Sequence, residues 1–192
     1  MSSPTSISTQ PNWRRRKPEA TPVKVLGIDP GTAILGYGVV ESESSRSHRL
    51  LECGTLTTSG RDPLAARLRV IHDGITALIA RHTPDAVAVE SAFYGRNVRT
   101  TVVLSHARGV ILLAAEMAGV EIAEYSPASV KKTIVGKGGA LKPQVGYMVA
   151  QLLRLKTPPA PEDAADGVAV ALTHLMIATR QAALFRRAAT TR

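Results

Sequence analysis

The sequence predicts an α/β fold built on a five-stranded mixed sheet, the first three strands antiparallel and helices on both faces. Three observations lead there. Three apolar, β-rich segments follow one another before residue 60 with only turn-rich connections between them. From Leu64 onward, segments with helical apolar spacing alternate with short apolar runs. A meander followed by such alternation describes a mixed sheet covered by helices.

Taken in order, residues 1–22 (MSSPTSISTQPNWRRRKPEATP) are rich in Ser, Thr and Pro. With so little to bury they cannot offset the entropy of ordering, and a disordered basic tail is expected. Val23–Asp29 is the first strand, Gly36–Glu41 its hairpin partner and His48–Thr57 the third. Leu64, Leu68, Ile71, Ile75, Leu78 and Ile79 give a one-faced helix ending near His82, where Thr83-Pro84 stops it. DAVAVE, 85–90, is a short buried strand that should lie parallel to the first, making the first strand central. Val98–Ala118 is apolar on more than one side, as expected of a helix buried against the sheet and against something else. VEIAEYS supplies the fifth strand. A short helix over Pro127–Val135, the glycine loop GKGGALK, a helix over Pro143–Leu155, the break TPPAPE and a last helix over Glu162–Arg180 complete a domain at 23–180. Residues 181–192 read as a basic C-terminal tail.

A length of 192 residues suits one domain with a full core and is too short for two of ordinary size. The one cysteine, Cys53, excludes a disulfide framework and reads as a packed core residue. No signal-peptide core is evident, and no apolar run reaches the roughly 20 residues that span a bilayer. A cytoplasmic protein with no membrane association is expected.

The net charge of +9 is mostly in the tails, which carry +3 before residue 23 and +4 from Arg180 on. Within the nearly neutral body the charges segregate. Ser91–Ala115 holds three arginines (Arg96, Arg99, Arg108) and no acid, and Tyr125–Pro161 holds six Lys/Arg, among them Lys131, Lys132, Lys137 and Lys142, and no acid. Such stretches fit a path for a phosphate backbone; a solvated basic face is the plainer alternative.

The stretch LGIDPGTAILGYGVV places Asp29 at the end of an apolar strand, where an unpaired carboxylate is costly. The topology brings Glu90, at the end of the neighbouring parallel strand, to within about 5 Å across the sheet. In EDAADGVAVALTH, Asp163 and Asp166 are three apart and share a helix face. Taken singly these acids have plainer readings as turn, rim and N-terminal helix residues. Together they suit hard divalent cations such as magnesium. Two such ions, roughly 3.5–4 Å apart, support phosphodiester displacement, with Asp29 expected to bridge them.

In order and spacing, LGIDPGT…GYGVV, VAVESAFYGRNVRT, SHARGVIL, VKKTIVGKGGALKPQVGYMV and EDAADGVAVALTH resemble the bacterial RuvC Holliday junction resolvases. The likeness runs from Val23 to about Thr179. It implies a ribonuclease H-like fold and a homodimer that nicks two strands of a four-way DNA junction symmetrically. It also implies magnesium or manganese, and the branch-migration proteins RuvA and RuvB as partners. Carried over by position, the acidic tetrad falls on Asp29, Glu90, Asp163 and Asp166, and the important lysines on Lys131 and Lys142. The aromatic near the crossover falls on Phe93. Tyr94, Arg96, Asn97, Arg99, Arg108, Lys132 and Lys137 complete the expected DNA contacts. Phe93 between an acid and an arginine stretch suits stacking on or wedging between bases, against a core-anchor reading. The rivals are an actin-like ATPase or sugar kinase, a small ribonuclease H-like RNA-processing nuclease, and a non-catalytic junction binder. The first needs two domains; the second shares the first-strand aspartate, but the phenylalanine after Glu90 and the ADGVAVALTH helix favour the resolvase; and the third gains nothing from four acids repelling phosphate.

Overall fold

The computed structural model describes residues 22–44, 47–91 and 98–190, without the side chains of Arg99 and 182–190. The chain order is β1 (Lys24–Asp29), β2 (Ile34–Ser44), β3 (Ser47–Thr57), α1 (Leu64–His82), β4 (Ala86–Glu90), α2 (Val98–Met117), β5 (Glu121–Tyr125), α3 (Pro127–Val135), α4 (Lys142–Leu152) and α5 (Glu162–Thr190). The five-stranded sheet has the order β3-β2-β1-β4-β5. β1 is antiparallel to β2 and parallel to β4, and β5 continues the parallel half. This is the expected α/β arrangement, with β1 central.

Alternation along β1 sorts the layers. Leu26 and Ile28 are fully buried with α1 and α2, packing on Ile71, Ile75 and Ile111. Val25 points the other way, into a second core built with α3, α4 and α5 around Val145, Val149, Val168 and Leu172. Asp29 shares the parity of Val25. The end of α1 follows from local chemistry: Thr83 takes a left-handed conformation (φ 44°), its N–H bonds the Ile79 carbonyl at 2.8 Å, and Pro84 cannot continue the helix.

Several boundaries differ from expectation. β2 starts at Ile34 and reaches Ser44, because it pairs with β1 on one side and β3 on the other beyond the apolar run. α4 stops at Leu152, and Arg154 has positive φ (55°). The α5 backbone stays helical to Thr190 instead of ending at Arg180, since QAALFRRAAT holds good helix formers and neither Gly nor Pro. The N-terminal tail lies outside the described residues, apart from Pro22.

α2 is buried on one side through Ala107, Ile111, Ala114 and Ala115, while Val98 (74% exposed), Val102, Leu113 (53%) and Met117 face outward. Thr100–Met117 is long and apolar enough by composition to cross a membrane, but it contains Arg108 and Glu116 and packs on α1 and β5.

The approach of α5 to the sheet is unusually close. A Cβ on Gly36 would sit 1.8 Å from the Asp163 carbonyl oxygen, and one on Gly27 2.3 Å from the Gly167 carbonyl oxygen. In return, a Cβ on Gly167 would lie 2.5 Å from Tyr37 Cα. These are backbone atoms and cannot yield as a flexible side chain would. Gly36→Ala is therefore expected to lower stability by about 1–3 kcal/mol in denaturant unfolding and to cost activity beyond that, since it pushes Asp163 outward.

Candidate active site

β1 and β4 both end on acids. Ile28 pairs with Val89, so the next residues, Asp29 and Glu90, stand side by side at the carboxyl ends of parallel neighbours and face α5. Acids opening a helix are favoured by its dipole, and here the first turns of α5 present Asp163 and Asp166 toward β1. One carboxylate oxygen from each of Asp29, Asp163 and Asp166 lies within 4.8 Å of the others. Glu90 stands outside that trio but lines the same cavity of about 150 Å³ with Asp29, Asp166, Lys131 and Lys142. Val130, Val145 and Ala169 form its apolar lining.

The electrostatics are those of acids crowded in a partly desolvated place. Burial, then the negative charge of Asp166, raises Asp29 from 3.8 to about 6, with Lys142 opposing. Burial, then Asp29 and Asp166, raises Glu90 from 4.5 to about 8, with Lys142 and Lys131 opposing. Lys142 Nζ donates to Asp166 Oδ2 at 2.6 Å, and that hydrogen bond holds the ammonium above its usual range. One close lysine does not offset the charge of the acids. An all-oxygen carboxylate set short of positive charge fits a hard divalent cation.

The other expected residues divide. Lys131 and Lys142 reach the cavity, whereas Lys132 and Lys137 are exposed and do not line it. Arg108 is not brought to the site. It pairs with Glu124 of β5 on the α1–α2 side of the sheet. Phe93, Tyr94, Arg96 and Asn97 lie outside the described residues, as does the side chain of Arg99. Ser91, which precedes them, is tied to the Tyr125 carbonyl through its N–H at 2.8 Å and its hydroxyl at 3.2 Å. The sequence reading missed Gly27, Gly36 and Gly167 as site-building residues. Their signal was present: Gly36 and Gly38 share one face of β2, opposite a helix whose own Gly167 directly follows Asp166.

A mixed sheet in this order, with carboxylates converging where its parallel strands end, defines the class as a divalent-metal-dependent nuclease of the ribonuclease H-like fold. The family model for crossover junction endodeoxyribonuclease RuvC matches residues 25–174, and the chain belongs to that family. The crossover junction endodeoxyribonuclease RuvC of Halorhodospira halophila is 51% identical over 151 residues, covering 79% of this chain and 89% of the relative. That of Syntrophomonas wolfei is 47% identical over 153 residues, covering 80% and 88%. The solved structure of Thermus thermophilus RuvC in complex with Holliday junction substrate superposes with a TM-score of 0.78 at 38% identity, covering 83% of this chain and 96% of that one.

The raised acids set a pH dependence. A carboxyl whose folded pKa exceeds its unfolded value contributes stability that is complete below the unfolded pKa and lost as pH rises through the folded one. Without divalent metal, stability should fall between about pH 4 and about pH 8, the window set by Asp29 and Glu90. Asp29→Asn should raise the Tm of the metal-free protein at pH 8 and barely change it at pH 4. Added Mg2+ should stabilise the parent protein at pH 8 and leave the variant where it is, read by scanning calorimetry.

Proposed function

We propose that this protein resolves four-way DNA junctions by metal-dependent nicking of two strands, in recombination and repair. The observation that carries the reading is the convergence of Asp29, Asp163 and Asp166 within 4.8 Å, beside a cavity that Asp29 and Asp166 line with Glu90 and two lysines. The site's residues suit Mg2+ or Mn2+, two ions in this reading, which Asp29, Glu90, Asp163 and Asp166 would hold. When bound, the ions supply activation of the attacking water and stabilisation of the leaving oxygen. Lys142, held by Asp166, and Lys131 place positive charge where the scissile phosphate would develop its negative charge. Lys132 and Lys137, both exposed, would meet the DNA backbone, with Tyr94, Arg96, Asn97 and Arg99 as further contacts and Phe93 near the crossover. The test is a mobile synthetic four-way junction incubated with and without Mg2+ or Mn2+. Asp163→Asn and Glu90→Gln should each reduce cutting by at least about 100-fold while junction binding holds or tightens; equal loss of binding would point to misfolding.

The working form is a homodimer joined through the outward face of α2, acting in the cytoplasm with RuvA and RuvB. The α1–α2 groove of about 750 Å³, lined by Leu68, Val98, Val102, Val110 and Leu113, supports this assignment. A twofold pair presents one site to each of two symmetry-related strands, which couples the nicks by geometry. On this helix Leu113 is exposed and Val103 half-buried. Leu113→Glu should give a folded monomer by light scattering that nicks a supercoiled cruciform without linearising it. A variant that stays dimeric would move the interface elsewhere.

A further inference from the structure

The turn that follows Asp29 is held by a polar clamp on the far side from the acids. Residues 30–33 link β1 to β2, and Asp29–Gly36 is the last paired position of that hairpin ladder. Within the turn, the Thr32 carbonyl accepts two hydrogen bonds, one from Arg67 Nη2 at 2.5 Å and one from the Thr58 hydroxyl. Arg67 Nε donates to that same hydroxyl at 2.9 Å, so Thr58 Oγ1 both gives and receives. The Thr58 N–H adds a bond to the Ala33 carbonyl at 2.9 Å. Both lone pairs of one carbonyl are thus taken, one by a charged donor, and such bonds are the stronger kind. Thr32, Thr58 and Arg67 are all half-buried. The turn has little slack of its own, for a Cβ on Gly31 would fall 1.7 Å from the Ile34 carbonyl oxygen.

Such a clamp matters because of where Asp29 stands. It closes a strand, beyond which the ladder offers no further hold on β1, and it faces two acids that repel it. The charged groups that bear on it are Asp166, Lys142 and Asp163, with Glu90 on the neighbouring strand, and Arg67 is not among them. Arg67 therefore acts through the turn and not through its field. We propose that Arg67 and Thr58 are positioning residues for the metal site: by loading the Thr32 carbonyl from two donors they fix the turn and hold Asp29 at ligand distance from Asp163 and Asp166. The inference rests on the metal-site reading given under the proposed function.

The test uses the full chain without DNA and reads the Mn2+ concentration that gives half of the Mn2+-induced rise in Tm, with junction cleavage against Mn2+ as a second readout. Thr58→Val keeps the side-chain shape and removes the hydroxyl. It should raise the half-saturating Mn2+ concentration by about tenfold in both readouts, with cleavage recovering at high Mn2+. Thr58→Ser restores the hydroxyl and should restore the parent midpoint. Arg67→Gln should shift the midpoint similarly, and the double variant should add little, because both residues act through one carbonyl. If Thr58→Val folds poorly, Arg67→Lys carries the same test, since it keeps the charge but cannot bond both oxygens. Asp29→Asn serves as the control. A parent-like Mn2+ midpoint in Asp29→Asn would overturn the metal-site reading and the clamp with it. Loss of the Mn2+ effect in Asp29→Asn together with parent-like midpoints in folded clamp variants would overturn the clamp alone.

Discussion

The close seating of α5 on β1 and β2 is the constraint on which the rest of the structure depends. A helix normally stands off a sheet by the thickness of two layers of side chains. Here glycines on both partners remove those layers, so that the Gly36 position nearly touches the Asp163 carbonyl and Gly167 the Tyr37 backbone. The consequence is chemical. Carboxylates are short side chains, and Asp163 and Asp166 reach Asp29 only because their helix backbone is already beside the strand. Longer acids on a more distant helix would reach as well, at the cost of rotamer freedom and of the precision a metal site requires.

That seating also explains why the site opposes the fold's own stability. Burial and mutual repulsion lift Asp29 to about 6 and Glu90 to about 8, so near neutral pH the folded protein holds groups that would ionise more readily unfolded. The two hydrophobic cores on either side of β1 supply the surplus that tolerates this arrangement. Lys142 offsets part of it through Asp166, and a divalent ion would offset more. Functional sites commonly store destabilisation of this kind, and removing it tends to raise stability while removing function.

Much of this was legible from residue order alone, for identifiable reasons. Strand parity is strict, so once β1 and β4 pair with Ile28 opposite Val89, Asp29 and Glu90 share a face. Helical spacing likewise puts Asp163 and Asp166 together. What escaped depends on partners distant in sequence. Arg108 sits in an acid-free stretch and reads as a DNA contact, yet Glu124 of β5 takes it up across the sheet. The separation of Glu90 from the tight aspartate trio is a matter of ångströms that no pattern encodes. The Arg67–Thr58–Thr32 clamp joins a helix, a strand end and a turn, none of them conspicuous alone. The full length of α5 is hidden because its last basic residues read as a tail signal, although arginine and alanine are strong helix formers.

The two faces of the sheet divide the labour. The α3–α4–α5 face carries the acids, the lysines and the glycine contacts, and it is where a phosphate chain can be met. The α1–α2 face carries the outward apolar surface of α2 and pairs its charges internally, as Arg108 does with Glu124. β4 lies between them and serves both: Glu90 ends it toward the site, while Val87 and Val89 pack toward α1 and α2. The chain leaving Glu90 is pinned at Ser91 to the Tyr125 carbonyl and re-emerges as α2 at Val98. A short segment therefore joins the acidic end of β4 directly to the first exposed turn of the apolar helix.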